Sequence, residues 1–312
     1  MTLITKRVKG KDYYYSFLSY FLIDKSKGFS KYIGAKKPTA KELAEIETSF
    51  RRELIQKLAN KDYSASSIGY DDVIKSLLFR DMFNKKYRSM TELKKRKYDI
   101  DSTVFFTLTT LTTEDIEVDL VDVRKAFDKH SHFTDKEQIS KNMLKAVESI
   151  KRSRRLNIEY LLELHKMIMA SFKTKTPGKI RDKQVYLYKH GQQVVTRTEL
   201  SYRPPTHMKI SKLLQEFLDW YTNSNLNPIE KAALSHYKLY RIHPFLDGNK
   251  RICRLILNKT LLDSGFPLLN ISLEKEAYFE ALIDSVEKNT PDILVDFTLK
   301  QYYRQVKEFL SN

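Results

Sequence analysis

Apolar residues recur at three- and four-residue spacing along most of the chain beyond residue 100. This periodicity constrains the fold more than any other feature. Ile139 to Ile150 and Ile158 to Phe172 carry such stripes, and Ile210, Leu213, Leu214, Phe217, Leu218 and Tyr221 fit one helix face. Asn227-Pro228 followed by Glu230 marks a helix start, because proline lacks only an N–H that the first turn would leave unpaired. A further helix is expected from near Gly248, and Glu274 to Glu287 and Ile293 to Phe309 close the chain. Thr176-Pro177-Gly178 breaks the pattern, and Gln184 to Leu187 with Gln193 to Thr196 read as a hairpin around Gly191. No apolar run reaches the ~18 residues of a membrane span, so no membrane partner is expected.

The first hundred residues read differently. Thr5 to Val8 and Tyr13 to Ile23 are rich in aromatic and β-branched residues, with a turn at Gly10-Lys11-Asp12. Lys27-Gly28 reads as a second turn and Phe29 to Ile33 as a third strand. A sheet this small cannot bury a core alone and must pack on helices. Thr39 followed by Glu42 is a capping-box pattern, and Leu43, Ile46, Phe50, Leu54 and Leu58 follow at helical spacing. Val73 to Phe83 reads as another short helix, and the basic cluster Lys94 to Lys97 as a solvated helix face or a boundary between modules. The expected class is therefore mainly α. A small basic α+β module over residues 1–98 precedes a helical domain with a β-hairpin over residues 99–312.

Composition narrows the functions. The 312 residues are 41% hydrophobic and 30% charged, which excludes a wholly disordered chain, and 8 Gly and 8 Pro exclude a linker-dominated one. The single cysteine, Cys253, excludes an intrachain disulfide and a Cys-rich zinc module. It fits a reducing, cytoplasmic setting, and the polar, basic first twelve residues do not read as a secretory signal. The net charge is +17. Residues 1–100 hold 23 Lys and Arg against 12 Asp and Glu, so the N-terminal third carries most of the excess. Such an excess attracts polyanions, nucleic acid among them, or is simply a solvated surface.

The stretch His243-Pro-Phe-Leu-Asp-Gly-Asn-Lys-Arg-Ile-Cys-Arg254 carries the chemistry. Pro244 and Gly248 hold a loop that opens into a helix at Asn249. A helix N-terminus offers free N–H groups to phosphate. Arg251 and Arg254, three apart, share a face and can clamp neighbouring phosphates. Asp247 is a hard oxygen ligand suited to Mg²⁺ held jointly with substrate phosphates. His243 can act as a general base near neutrality. An anion site, a metal ligand, a base and two cations within twelve residues make a phosphoryl- or nucleotidyl-transfer kit. There is no P-loop, no G-x-G-x-x-G and no H-E-x-x-H elsewhere.

This segment resembles the signature of the Fic (Fic/Doc) family, H-x-F-x-[D/E]-G-N-[G/K]-R-x-x-R, at every specified position, and the resemblance extends over about residues 105–305. It implies the Fic fold and transfer of AMP from ATP to a Ser, Thr or Tyr hydroxyl of a target protein, releasing pyrophosphate. Self-modification, removal of AMP and a homodimer remain open. The resemblance implies that His243 deprotonates the hydroxyl and that Asp247 holds Mg²⁺ on the α- and β-phosphates. Gly248 and Asn249 would form the anion hole, Asn249 also through its side chain. Arg251 would bind the β-phosphate and Arg254 the γ-phosphate. Pro177 to Arg181 and the hairpin after them resemble the target-positioning flap, which assigns Gln184, Val185, Tyr186 and Leu187 to it. Tyr202 to Pro205 resembles the usual segment after the flap, and His165 a common helix position before it.

Lys250 departs from most AMP-transferring members, which have Gly. The Doc-type phosphotransferase has Lys there, but also Ala in place of Gly248 and no second arginine. AMP transfer is therefore expected, with phosphate or another nucleotide as the alternative. Thr110 to Glu114 resembles the inhibitory pattern [S/T]-x-x-x-E-[G/N], except that Asp115 replaces the final Gly or Asn. The resemblance implies that Glu114 pairs with Arg254 and holds the enzyme inactive; the plainer alternative is an acid or cap at a helix N-terminus. Cys253 reads as a small buried thiol and His165 as packing. Lone histidines such as His190, His207 and His236 read as structural. Tyr13 to Tyr15 read as strand packing, with a base-stacking surface as the alternative. A rival of another class is a nucleic-acid- or partner-binding protein acting through residues 1–98.

Overall fold

The computed structural model describes residues 2–22, 26–63, 65–128, 133–152, 154–188 and 200–311. The fold is mainly α: eleven helices and two small antiparallel sheets among the described residues. The chain divides into two compact units. One comprises residues 1–85, 225–227 and 306–312, the other residues 86–224 and 228–305. No helix among the described residues is long and apolar enough to cross a membrane.

In the first unit, β1 (Thr2–Val8), β2 (Lys11–Phe21) and β3 (Ser26–Gly34) form a sheet in that order. The first turn lies at Lys9 and Gly10, both at positive φ. Lys27 and Gly28, read as a turn from sequence, instead lie inside β3. The reason is packing: a Cβ at Gly28 would sit 2.5 Å from the Phe17 ring, so the glycine makes room for an aromatic neighbour. The side chains of Ser16, Leu18, Tyr20 and Leu22 alternate onto the buried face. Helix α1 (Ala40–Ala59) starts with the full capping box between Thr39 and Glu42 and ends at Asn60 in the left-handed conformation. Helix α2 (Tyr70–Ser89) is longer than the short helix expected at Val73 to Phe83. Asp71 accepts from Tyr20 Oη (2.9 Å) and Arg51 Nε (2.8 Å), tying sheet and helices together.

In the second unit, α3 (Glu92–Thr112), capped by Thr91, contains Lys94 to Lys97, so that cluster is helix surface. Helices α4 (Leu120–Asp128), α5 (Asp135–Lys151), α6 (Ile158–Ile168), α7 (Ile210–Asn223) and α8 (Pro228–Ile242) follow. Then come α9 (Asn249–Asp263), α10 (Lys275–Glu287) and α11 (Asp292–Ser311). Helix α9 is the hub, packed on α3, α5, α6 and α8 and buried on nearly every side. Its sequence shows this in part: Ile252, Cys253, Leu255, Ile256 and Leu257 make a broad apolar face, and Lys250, Arg254 and Asn258 form a polar stripe. Asn258, buried on this helix, exchanges two hydrogen bonds with the Leu269 backbone, at 2.6 and 3.0 Å. The second sheet pairs β4 (Leu187–Tyr188) with β5 (Leu200–Tyr202). The described partner of Leu187 is therefore Tyr202, and the expected strand at Gln193 to Thr196 lies outside the described residues.

Candidate active site

The site is built on the loop between α8 and α9. Helix α8 ends at Ile242, and His243 takes the left-handed conformation (φ 50°), with its N–H still donating to Leu239 O at 3.1 Å. A histidine at positive φ is costly and must be held. Arg181 holds it: its buried Nε donates to His243 O (2.7 Å) and its backbone N–H to Pro244 O (2.9 Å). The His243 ring is buried, with Nδ1 3.3 Å from Tyr240 O. That contact places the proton on Nδ1 and leaves the Nε2 lone pair free. Burial lowers the His243 pKa to about 4, so the ring is neutral at physiological pH.

Asp247 Oδ1 accepts from Gly248 N–H at 2.6 Å and faces Arg251 Nη2 at 3.3 Å. Its backbone carbonyl accepts from His165 Nε2 at 3.0 Å, while Gly178 N–H donates to His165 Nδ1 at 2.9 Å. The tautomer is thereby fixed. His165, buried and stacked 3.7 Å from Phe245, is a buttress that joins α6, the segment before β4 and the loop. Burial lowers its pKa to about 4 as well. Gly248 is required twice over. Its φ is +76°, and a Cβ there would meet Met169 Sδ at 2.8 Å.

Asn249 differs from its expected side-chain role at an anion hole. Its Oδ1 accepts from Phe245 N–H (3.0 Å) and its Nδ2 donates to Phe245 O (2.8 Å), so the side chain is committed to the loop. What α9 offers an anion is its first-turn backbone N–H groups. Arg251 lies beside them, buried, with Nε and Nη1 lacking any hydrogen-bond partner. Buried guanidinium donors are rarely left unpaired, and a phosphate would satisfy them.

Among the described residues no three His, Cys, Asp or Glu side chains gather into a metal site. Asp247 is a lone carboxylate, 40% exposed. That donor set fits a hard cation shared with substrate phosphates and does not fit a cation held by protein alone.

Arg254 is fully buried, with Nη2 donating to Glu114 Oε1 (2.7 Å) and Thr110 O (3.0 Å), and Nη1 to Tyr278 Oη (3.3 Å). Tyr278 Oη in turn lies 2.8 Å from buried His236 Nε2. Lys250 Nζ lies 3.2 Å from the other oxygen, Glu114 Oε2, and 4.5 Å from the Phe279 ring centre. Lys250 and Arg254 are four apart on α9, so one helix face presents a cation to each oxygen. Burial alone would raise the Glu114 pKa, but the Arg254 and Lys250 charges overcome it and pull it down to about 2.

Glu114 sits just past the C-terminal end of α3, its N–H bonded to Leu111 O at 3.0 Å; it is no helix N-terminal acid or cap. Asp115, where the resembled pattern has Gly or Asn, has φ 58°. Asp tolerates that region better than most side chains, and Lys275 Nζ holds its carboxylate at 2.6 Å. Thr110 contributes its carbonyl; its hydroxyl is buried without a partner.

Of the expected flap residues, Gln184 donates to Val185 O and Pro204 O, Tyr186 is 46% exposed beneath Arg203, and Leu187 opens β4. Cys253 is wholly buried and its thiol pKa is raised by burial, which makes it inert. His236 is buried, and His207 begins a single 3-10 turn; His190 lies outside the described residues. Arg181 and Tyr278 were not singled out from sequence as site residues. Arg181 was visible only as part of the flap segment, and no local spacing marks Tyr278.

Residues 155–261 match the Fic/DOC family. The protein adenylyltransferase fic-1 of Caenorhabditis briggsae is 33% identical over 134 residues, which are 42% of this chain and 24% of that protein. The protein adenylyltransferase Fic of Nematostella vectensis is 34% identical over 137 residues, 43% and 29% respectively. The chain thus spans about a quarter of the length of these curated relatives. In three dimensions it resembles a Fic-domain-containing signaling protein of Bacteroides thetaiotaomicron, with a TM-score of 0.65 and 19% identity over 76% of this chain and 95% of that one. Residues 134–508 of Caenorhabditis elegans Fic-1 align with a TM-score of 0.63 and 18% identity over 87% and 75%. Likeness at such identity establishes the fold.

Proposed function

We propose that the protein, whose residues 155–261 match the Fic/DOC family, transfers AMP from ATP to a hydroxyl side chain of a target protein, itself included. Arg251 is the observation that carries this reading: a buried guanidinium with two unpaired donors, at the N-terminus of the helix that follows the candidate base. Phosphate is the ligand that those donors fit. His243 Nε2 takes the proton of the attacking hydroxyl. The hydroxyl oxygen forms a bond to the α-phosphorus, the bond to the bridging oxygen breaks, and pyrophosphate leaves. Arg251 and the first N–H groups of α9 stabilise the charge that develops on the phosphates. Mg²⁺ fits beside Asp247, where it would neutralise phosphate charge. Lys250 supports AMP transfer over Doc-like phosphotransfer, since it is engaged by Glu114 and Phe279.

In the same reading Glu114 is an intrinsic brake. It occupies the guanidinium of Arg254, so a γ-phosphate has no cation to meet there. Removal of AMP, with Glu114 orienting water, is a second activity that the same geometry accommodates. The β4 edge positions the target segment. The setting is cytoplasmic, consistent with a lone buried Cys253.

The test uses wild type, Glu114→Gly, and Glu114→Gly with His243→Ala, each given ATP labelled at the α- or γ-phosphate. Protein label from the α-position alone, strongest in Glu114→Gly and lost with His243, supports the proposal. Label from the γ-position means phosphotransfer.

A further inference from the structure

The outer face of the N-terminal sheet has no part in the site above. Strand alternation puts Tyr13, Tyr15, Phe17 and Phe21 of β2 on that face. From β1 comes Lys6, which pairs across with Tyr13, and from β3 comes Tyr32, which pairs with Tyr15. The Tyr32 ring lies 5.3 Å from that of Tyr15 and 6.3 Å from that of Tyr13, and Lys6 Nζ stands 4.7 Å over Tyr15. Tyr32 is 53% and Phe21 66% exposed. Lys11 also falls on this face, and among the described strand residues no acid does; Asp12 points to the other side, where its partner is Arg7. Residues 1–41 hold ten Lys and Arg against two Asp, and of these cations Lys6 and Lys11 lie on this face.

We infer that this face binds single-stranded nucleic acid, with bases stacking on the tyrosine and phenylalanine rings and phosphates held by Lys6 and Lys11. Rings on alternate residues of one strand stand about 7 Å apart. That is twice the ~3.4 Å rise per nucleotide along one strand of a duplex. The spacing therefore fits a chain whose bases are splayed apart and excludes stacked, paired ones. Exposed aromatic faces beside lysines are what sequence-tolerant single-strand binding requires.

The test is fluorescence anisotropy on the full chain without ATP, so its result is independent of the transferase activity. The probes are labelled 20-nucleotide oligo-dT and oligo-rU and a 20-base-pair duplex. Both single strands should bind with affinity that falls as salt rises, about 0.7 in log-log slope per neutralised phosphate, and more tightly than the duplex. Tyr32→Ala should weaken binding about tenfold, Tyr32→Phe should retain it, and Lys6→Gln with Lys11→Gln should flatten the salt slope. Unchanged thermal melting of each variant separates surface loss from unfolding. No binding, a preference for duplex, or indifference to Tyr32→Ala would overturn the inference. So would self-association of the chain that disappears in Tyr32→Ala, because a second copy would then be the occupant.

Discussion

Lys250→Ala isolates one of the two ion pairs that hold Glu114, the proposed brake. Lys250 and Glu114 side chains are 17% and 13% exposed, so their contact is largely shielded from solvent. A hydrogen bond between charged groups under such conditions contributes about 1.5–3 kcal/mol. At 3.2 Å the contact is long, and burial already disfavours the lysine charge, lowering its pKa. The lower end applies, about 1.5 kcal/mol, which is roughly tenfold in the engaged-to-released ratio of Glu114. Lys250→Ala should therefore raise basal α-label incorporation about tenfold and tighten binding of a non-hydrolysable ATP analogue by a similar factor. Glu114→Gly, which removes both contacts, should do more. The decisive comparison is a double-mutant cycle. In the Glu114→Gly background, Lys250→Ala should change nothing. A loss of activity in that background would show that Lys250 touches substrate, and unchanged activity in the wild-type background would refute its part in the brake.

Further consequences follow from the same geometry. Glu114 has a folded pKa of about 2, below its ordinary 4.5, so its ionised form stabilises the fold above pH ~4.5 and that contribution is lost as pH falls towards 2; Glu114→Gln should flatten the acid limb of melting temperature against pH. His243 is neutral above its lowered pKa of about 4, so transfer by Glu114→Gly should persist below pH 6 and fall only near 4 in a pH–rate profile. Gly248→Ala places a side chain at φ +76° against Met169, costing about 1–2 kcal/mol from backbone alone and displacing the anion loop. Its melting temperature and labelling should both drop. Arg254→Ala strips Glu114 and Thr110 O of a fully buried partner, at about 3–5 kcal/mol, and calorimetry should register it as a lower melting temperature.

Helices were the most readable part of the sequence because their apolar stripes report burial directly. α7 begins at Ile210 and α8 at Pro228, where the spacing and the proline place them. The turn at Lys27-Gly28 was misread because glycine serves two purposes, and here it admits the Phe17 ring. Lys94 to Lys97 lie on the surface of α3, as the helix-face reading of a run of cations expects once Thr91 caps the helix. Local spacing singled out His243, Asp247, Arg251 and Arg254, which the structure gathers on the α8–α9 loop and the start of α9. It could not locate what lies far along the chain. Tyr278 reaches Arg254 from 24 residues away, and Glu114 meets Lys250 only because α3 packs on α9. The commitment of the Asn249 amide to Phe245 was also hidden, since an asparagine suits a loop staple as well as an anion hole.

Arg254 Nη2 grips both the Glu114 carboxylate and the Thr110 carbonyl. The first can let go while the second stays. Disengaging the proposed brake would then be a matter of one side chain swinging on a fixed mount, with α3 still fastened to α9. Side-chain rotation itself takes picoseconds to nanoseconds, whereas shifting a packed helix takes microseconds or longer. The response time of this device would be set by the grip of two cations on one carboxylate, and the scaffold around it would look the same in both settings.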